Sequence, residues 1–384
     1  MKSIFFYTST NFLDAILETI QSIKEKTILH VFIEISNQSK NTTIIDVDKI
    51  NHLKFIEKPE NVLGEKKWNL IKEYFNGVAS VQFIVYKRKR SLTLNTFILG
   101  YKLMTFAEKL KIDVYHFDTY STRAMGLAPY LINKKVVVTI HDPIPHSGEN
   151  SWKEYIPNWV FLRISNSILF YSAYAKEQFL SKYTTYKKPI STISLQPYTI
   201  NKKHIKNKNY ERKYITFFGR ISYYKGIDIL LEAIPKVIEL YPKQLFLIIG
   251  KQYYKNLIDH EIILKYKKNI EIHSNYIETS ALIDYIQESK FIVCPYRDAT
   301  QSGVLMTSNA LGKTTIATSV GSFPEYIIND TNGLIAKPEA DSFAKKIIEA
   351  LENNKYLELE KNVISTNKMD VNKKNELTLL EAYN

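Results

Sequence analysis

Short runs of β-branched and aromatic residues alternate with amphipathic helical segments along most of the chain. That alternation narrows the accessible folds more than any other feature. Residues 2–7 read as a strand, and residues 12–24 as a helix with apolar positions at Phe12, Ala15, Ile16, Ile20 and Ile23. Residues 30–35 and 81–86 read as strands, 92–111 as a helix, and 113–117, 136–140 and 167–171 as further strands. Ser172 is placed to cap a helix through residue 180. The pattern pauses over residues 198–212, which are polar, basic and aperiodic, and then restarts. Strands are expected at 214–218, 245–249, 270–273, 291–294 and 315–318, with helices at 227–240, 280–288, 304–311 and 342–353. Strands that alternate with helices imply parallel sheets covered on both faces. The expected organisation is a Rossmann-like domain over 1–197, a linker at 198–212 and a second Rossmann-like domain over 213–360. A tail over 361–384 is expected to end in a short helix that packs back on the first domain. Ligands of such sheets sit outside the carboxyl ends of the strands, so residues that follow strands carry the functional signal.

At 384 residues and 45% hydrophobic composition the chain can bury the cores of two domains. Its single cysteine, Cys294, excludes a disulfide framework and points to a reducing compartment. The N-terminal residues enter a strand directly, without a signal-peptide pattern, and no apolar run approaches a membrane span. A cytoplasmic protein, at most peripheral on the inner face of the plasma membrane, is expected. The net charge of +13 suits a phosphorylated ligand, an anionic membrane or nucleic acid, besides a merely solvated basic surface. Nucleic acid is disfavoured, because no basic stripe interleaved with aromatics and no recognisable module is present.

Four clusters follow strands. In the first, Ile215-Thr216-Phe217-Phe218 ends at Gly219, and two cations, Arg220 and Lys225, precede a helix. Cations at a helix N-terminus oppose its dipole, an arrangement that an anionic ligand would relieve. In the second, 295–306 reads PYRDATQSGVLM, a small polar loop running into a helix near Gly303. Backbone N–H groups there can approach an anion. The third is His141, Asp142 and His146 on a proline-fixed loop after a strand. His141 is suited to hydrogen bonding or proton transfer. The group lacks helical metal-ligand spacing, so no metal is expected. The fourth joins Gly321 with Glu325, which is placed to reach a sugar hydroxyl. Thr10 and His116 are weaker candidates on the acceptor side, with Asp142. The densest charge run, Lys87-Arg88-Lys89-Arg90, is either a solvated loop or a site for anionic lipid or lipid-linked phosphate.

From about residue 214 to 338, the segments FFGRISYYKGIDILLEA, FIVCPYRDATQSGVLMTSNALGKTTIAT and GSFPEYIINDTNGLIA together resemble the retaining glycosyltransferases of family four. In the first half, DVYH and TIHDP resemble them more weakly. The resemblance implies the GT-B fold: α/β, two Rossmann-like domains whose parallel sheets face each other across a cleft. It implies that Arg220 and Lys225 hold the donor diphosphate beside Gly219. By the same resemblance Ser302, Gly303, Val304 and Leu305 hold phosphate or sugar oxygens, with Thr300 and Gln301 in the same loop. Tyr276 and Ile277 would lie against the base, and His141 near the reacting sugar carbon. The sequence departs from the family pattern where two glutamates eight positions apart are common, since Ala299 and Thr307 stand there. Asp298 is the nearest stand-in for the first, and Thr307 keeps a hydrogen-bonding group in place of the second. The glycine-rich loop after the first strand is also replaced, by Thr8-Ser9-Thr10-Asn11.

The resulting expectation is a retaining, metal-independent, hexosyltransferase-type enzyme without a cofactor. It would move a sugar from a nucleotide-diphosphate donor, UDP- or GDP-linked, to a glycan or lipid-linked acceptor in bacterial surface polysaccharide synthesis. An anionic membrane surface is a further expected partner. A GT-B nucleotide-sugar epimerase and a non-catalytic nucleotide- or sugar-binding protein are the alternatives. The first would need cleft carboxylates in which this chain is poor, and the missing glutamates keep the second open.

Overall fold

The computed structural model describes residues 1–37, 39, 50–88, 90–144, 152–254, 257, 260–275, 277–366 and 370–384. Among these, the chain divides into two compact units. The first takes residues up to Pro143, those from Trp152 to Gln196, and the C-terminal helix from Asp370. The second runs from Pro197 through Thr366.

The first unit is built on an eight-stranded sheet. Its strands are β1 (Ser3–Ser9), β2 (Ile28–Ser36), β3 (Ile56–Glu57), β4 (Ser80–Tyr86), β5 (Val114–Phe117), β6 (Lys135–Ile140), β7 (Ser167–Phe170) and β8 (Ile190–Thr192). The order is β3-β4-β2-β1-β5-β6-β7-β8, parallel except where β3 pairs antiparallel with β4 at the edge. Continuous burial along β1 and β5–β7 explains why these strands read as unbroken apolar runs rather than as alternating ones. A core of aromatic and β-branched side chains, Phe5, Tyr7, Phe32, Phe117, Val138 and Phe170 among them, lies against one face of the sheet. Ser172 caps its helix as expected, its Oγ accepting from Ala175 N at 3.0 Å.

The second unit carries six parallel strands. They are β9 (Tyr214–Phe218), β10 (Leu245–Ile249), β11 (Ile270–His273), β12 (Ser289–Cys294), β13 (Thr315–Thr318) and β14 (Gly333–Ala336), in the order β11-β10-β9-β12-β13-β14. Counted from β9 this is 3-2-1-4-5-6, the doubly wound order. The direction of winding reverses between β9 and β12 here and between β1 and β5 in the first unit. Loops after those four strands therefore flank the two switch-point crevices where ligands of such sheets bind.

The structure also differs from expectation in places. Residues 198–212 are not a free linker but part of the second unit. A 3-10 turn covers Thr199–His204 and buries Ile200 and Asn201. Lys206 pairs with Asp284, Tyr210 Oη donates to Asp284 Oδ1 at 2.8 Å, and Arg212 pairs with Glu360 at 2.5 Å. A basic, aperiodic composition reads as a linker, yet here each of these side chains meets a carboxylate or phenol fixed by tertiary structure. Helices Pro59–Ile71, Trp152–Ile164 and Lys355–Thr366 were not expected. The first is interrupted at Gly64, whose φ of 72° breaks the apolar period. The terminal helix is longer than expected, Asp370–Tyr383. Within the first unit, Asn375 pairs with both backbone groups of Ser194 at 2.8 and 2.7 Å, and buried Tyr383 anchors the last turn.

Candidate functional site

Three loops of the second unit meet at the β9/β12 switch point. The first follows β9. Gly219 follows the strand, Tyr223–Lys225 form a 3-10 turn, and Gly226 precedes helix Ile227–Leu240 in the left-handed region, with φ 64°. A Cβ on Gly226 would stand 1.8 Å from the Pro295 carbonyl oxygen, so only glycine lets this loop lie against the second one. The second loop, after β12, is tied to the first in two ways. Arg297 N donates to Tyr224 O at 2.8 Å, and the Arg297 guanidinium makes a bidentate pair with Asp228 at 2.6 and 2.5 Å. The third loop, after β13, turns at Gly321, with φ 58°. A Cβ there would lie 1.9 Å from the Ala299 carbonyl oxygen, which also accepts from Ser322 N at 2.8 Å. Sequence reading missed Arg297 and Asp228. Their signal, an arginine three residues after the β12 strand-end and an aspartate in the first turn of a helix, looks like any solvated charged side chain.

Lys225 is held by aromatic faces. Its Nζ lies 3.7 Å from the Tyr296 ring centroid and 5.2 Å from that of Tyr224. Tyr296 is 1% exposed and packs edge-on to Phe323 of the third loop. Arg220 is exposed, its guanidinium 5.4 Å from the Tyr224 ring. Ser302 caps helix Gly303–Ala310, its Oγ accepting from Leu305 N, and Val304 packs beside Gly219. One buried hydroxyl oxygen here, Ser222 Oγ, has no hydrogen-bond partner among the described residues, and such an orphan asks for a ligand or water. Asp298 and Gln301 are half-buried in the same loop and Thr300 is buried. Glu325 is exposed on the short helix Phe323–Tyr326. Half-buried Thr307 accepts from Asn201 Nδ2 at 3.3 Å. Ile277 is half-buried between β11 and the following helix, whereas Tyr276 and His146 lie outside the described residues.

In the first unit, His141 follows β6 with its Nε2 3.0 Å from Asp118 O and 3.3 Å from Asp118 Oδ2. Its ring packs on Phe12 and Tyr171. Asp118, fully buried after β5, also accepts from Tyr171 Oη at 2.8 Å. Burial opposes charge on the His141 imidazole, but the Asp118 carboxylate beside it outweighs burial and holds its pKa above the ordinary value. Burial likewise opposes charge on Asp118, and His141 and Tyr171 bring its pKa below the usual carboxylate range. The Asp118 partner was not anticipated, because β5 runs on through Phe117 and Asp118 is its first residue beyond. Thr10 is buried in the turn after β1, with no hydrogen-bond partner for its Oγ1 among the described residues, and Asp142 is exposed beside His141.

The expectation for His116 is corrected. It lies inside β5 and is fully buried, with Nδ1 2.7 Å from Tyr383 Oη and Nε2 2.8 Å from Thr139 Oγ1. Burial lowers its pKa to about 4, and both ring nitrogens are engaged, so it is a neutral core residue rather than a ligand-facing one. Buried Cys294 is pushed up to about 12 by desolvation and offers no thiolate. Among the described residues no cluster of His, Cys, Asp and Glu could hold a metal ion, and no helix is long and apolar enough to cross a membrane.

Solved structures of similar fold cover essentially the whole chain. A glycosyltransferase from Rickettsia africae aligns over 100% of this chain and 98% of its own, with TM-score 0.63 and 16% identity. Anabaena HepE in complex with UDP aligns over 100% of both chains, with TM-score 0.64 and 14% identity. Sucrose-phosphate synthase from Thermosynechococcus elongatus aligns over 100% and 98%, with TM-score 0.66 and 14% identity. The fold is GT-B. Residues 199–369 match the family model described as glycosyl transferases group 1, a span that contains all three loops of the β9/β12 site. An uncharacterized glycosyltransferase of Methanocaldococcus jannaschii, MJ1178, is 28% identical over 157 residues, which is 40% of this chain and 42% of that relative's length. The comparisons thus give the GT-B architecture for the chain and likeness to the glycosyl transferases group 1 model for residues 199–369.

Proposed function

We propose that the protein is a retaining glycosyltransferase that takes a nucleotide-diphosphate sugar as donor. The observation that carries this reading is the site after β9 and β12. There, two cations, Arg220 and Lys225, follow Gly219, which lies against Val304 in the first turn of helix Gly303–Ala310, on loops locked together by Gly226, Gly321 and the Arg297–Asp228 pair. Such a site stabilises the charge that develops on a leaving diphosphate, and its donors are in place before reaction. Two further observations support a nucleotide sugar: the domain match spans this site, and HepE has been solved with UDP and with UDP-glucose. Thr307 would contact the ribose, and Ile277 the base.

In the proposed reaction, the bond from the anomeric carbon to the diphosphate oxygen breaks. The acceptor oxygen bonds to that carbon on the same face, and the acceptor proton passes to the leaving phosphate. No protein nucleophile is then required, and the fixed cations take the place of a metal. His141, held by Asp118, is the first unit's candidate for hydrogen bonding to a substrate hydroxyl. A glycan or lipid-linked acceptor in surface polysaccharide synthesis completes the reading.

Thermal unfolding with UDP, GDP and their sugars tests it. A nucleotide at 100 times its Kd should add about 2.7 kcal/mol of stability. Replacing Arg220 and Lys225 together with alanine should remove the shift, and EDTA should leave transfer from a labelled donor unchanged. If no nucleotide raises the melting temperature, the reading is wrong.

A further inference from the structure

The first unit contains a cavity of about 260 Å³, several times the ~30 Å³ share of one water, at the carboxyl end of β4. Five of its lining side chains are cationic, namely Lys54, Lys87, Arg88, Arg90 and Arg123, and none of the lining residues is acidic. Among the described residues two of the five stand near carboxylates: the Lys54 backbone N–H donates to Glu57 Oε2 at 3.0 Å, and the Lys54 charge helps to lower the Glu57 pKa. Arg123 lies 4.0 Å from Glu34, which is buried and already accepts from Tyr7 Oη at 2.7 Å and from Ser121. The cavity thus gathers an excess of positive charge.

Its walls are built rather than incidental. Arg123 is 5% exposed and donates to Arg88 O, which holds the backbone of the basic run. Thr96 Oγ1 donates to Ser91 O at 2.9 Å, and Thr93 and Thr96 form the capping box that opens helix Leu94–Glu108. The positive end of that helix faces the same loop. Tyr86, 4% exposed, forms another wall. Cations gathered in one cavity beside a helix N-terminus suit an oxyanion with several acceptor oxygens.

We propose that this cavity binds the phosphate or diphosphate group of a second ligand, separate from the nucleotide held after β9. That this ligand is the sugar acceptor rests on the glycosyltransferase reading; the binding site does not. The group arrives either on a soluble phosphorylated molecule or on a lipid. The surroundings suit a lipid: Leu94, Phe97, Ile98 and Tyr101 recur at helical spacing and are 80, 37, 49 and 57% exposed, beginning beside the cavity.

The test uses the full chain with Arg220→Ala and Lys225→Ala, so that the nucleotide site does not contribute. Inorganic pyrophosphate is titrated calorimetrically, and flotation is measured with phosphatidylcholine vesicles containing phosphatidic acid or, at matched surface charge, phosphatidylserine. Adding Arg88→Ala and Arg90→Ala, both on exposed loop positions, should raise the pyrophosphate Kd at least tenfold or abolish flotation on phosphatidic acid. Pyrophosphate binding without flotation assigns a soluble ligand, and flotation selective for phosphatidic acid assigns a lipid headgroup. The proposal is overturned if neither pyrophosphate binding nor phosphatidic-acid-selective flotation depends on Arg88 and Arg90. The UDP shift of the wild type is read separately, so either idea can fail without the other.

Discussion

His116 makes a sharp prediction about acid stability. In the folded protein its pKa is about 4, while in the unfolded chain it is near 6.5. The folded state therefore binds fewer protons between those values, and stability falls as pH drops through that window. From pH 7 to pH 5 this one residue should remove about 2 kcal/mol, with about 3 kcal/mol lost once pH is below both values. His116→Gln keeps hydrogen-bonding atoms toward Tyr383 and Thr139 but does not titrate. All three tryptophans, Trp68, Trp152 and Trp159, belong to the first unit, so their fluorescence in urea reports on the unit that contains His116. The wild type should lose about 2 kcal/mol more than His116→Gln between pH 7 and pH 5. Equal losses would show that His116 is not held neutral, and the argument from its buried contacts would fail.

Asp118→Asn should lower the His141 pKa, because burial would then act without the opposing carboxylate; an NMR titration of the ring reads this directly. An unchanged value would remove Asp118 from any role in orienting His141. Gly321→Ala should cost about 1–3 kcal/mol, since the new methyl meets the Ala299 carbonyl at a positive φ, and it should also raise the donor KM. Unchanged stability and KM would disprove the close approach of these loops. Arg297→Lys, which loses the bidentate pair with Asp228, should weaken nucleotide binding about tenfold without abolishing it. Full retention of the UDP thermal shift would show that the pair does not position the site.

Local features were legible wherever a local rule decided them. Buried parallel strands read as apolar runs because both faces are covered, and Ser172 read as a cap because its side chain needs only its own helix. Gly219, Arg220, Lys225 and Ser302 were singled out because residues that follow strands are the ones a doubly wound sheet presents to ligand, and their loops do lie at the β9/β12 switch point. Residues 198–212 failed as a linker because their charges are satisfied by Asp284 and Glu360, far along the chain. His116 failed for the same reason. Its partner Tyr383 is 267 positions away, and nothing near position 116 announces it.

The amino-acid sequence by itself determined the α/β class, the two successive sheets and the loop that carries Arg220 and Lys225. Each of these follows from periodicity and from glycine placed at strand ends. Only the tertiary structure decided which polar groups are spent and which are left over. It locks Arg297 onto Asp228, sets Asp118 under His141, withdraws His116 into the core and collects Lys54, Lys87, Arg88, Arg90 and Arg123 around one cavity. Charge and hydrogen-bond satisfaction depend on neighbours in space, and a folded chain draws those neighbours from anywhere along its length.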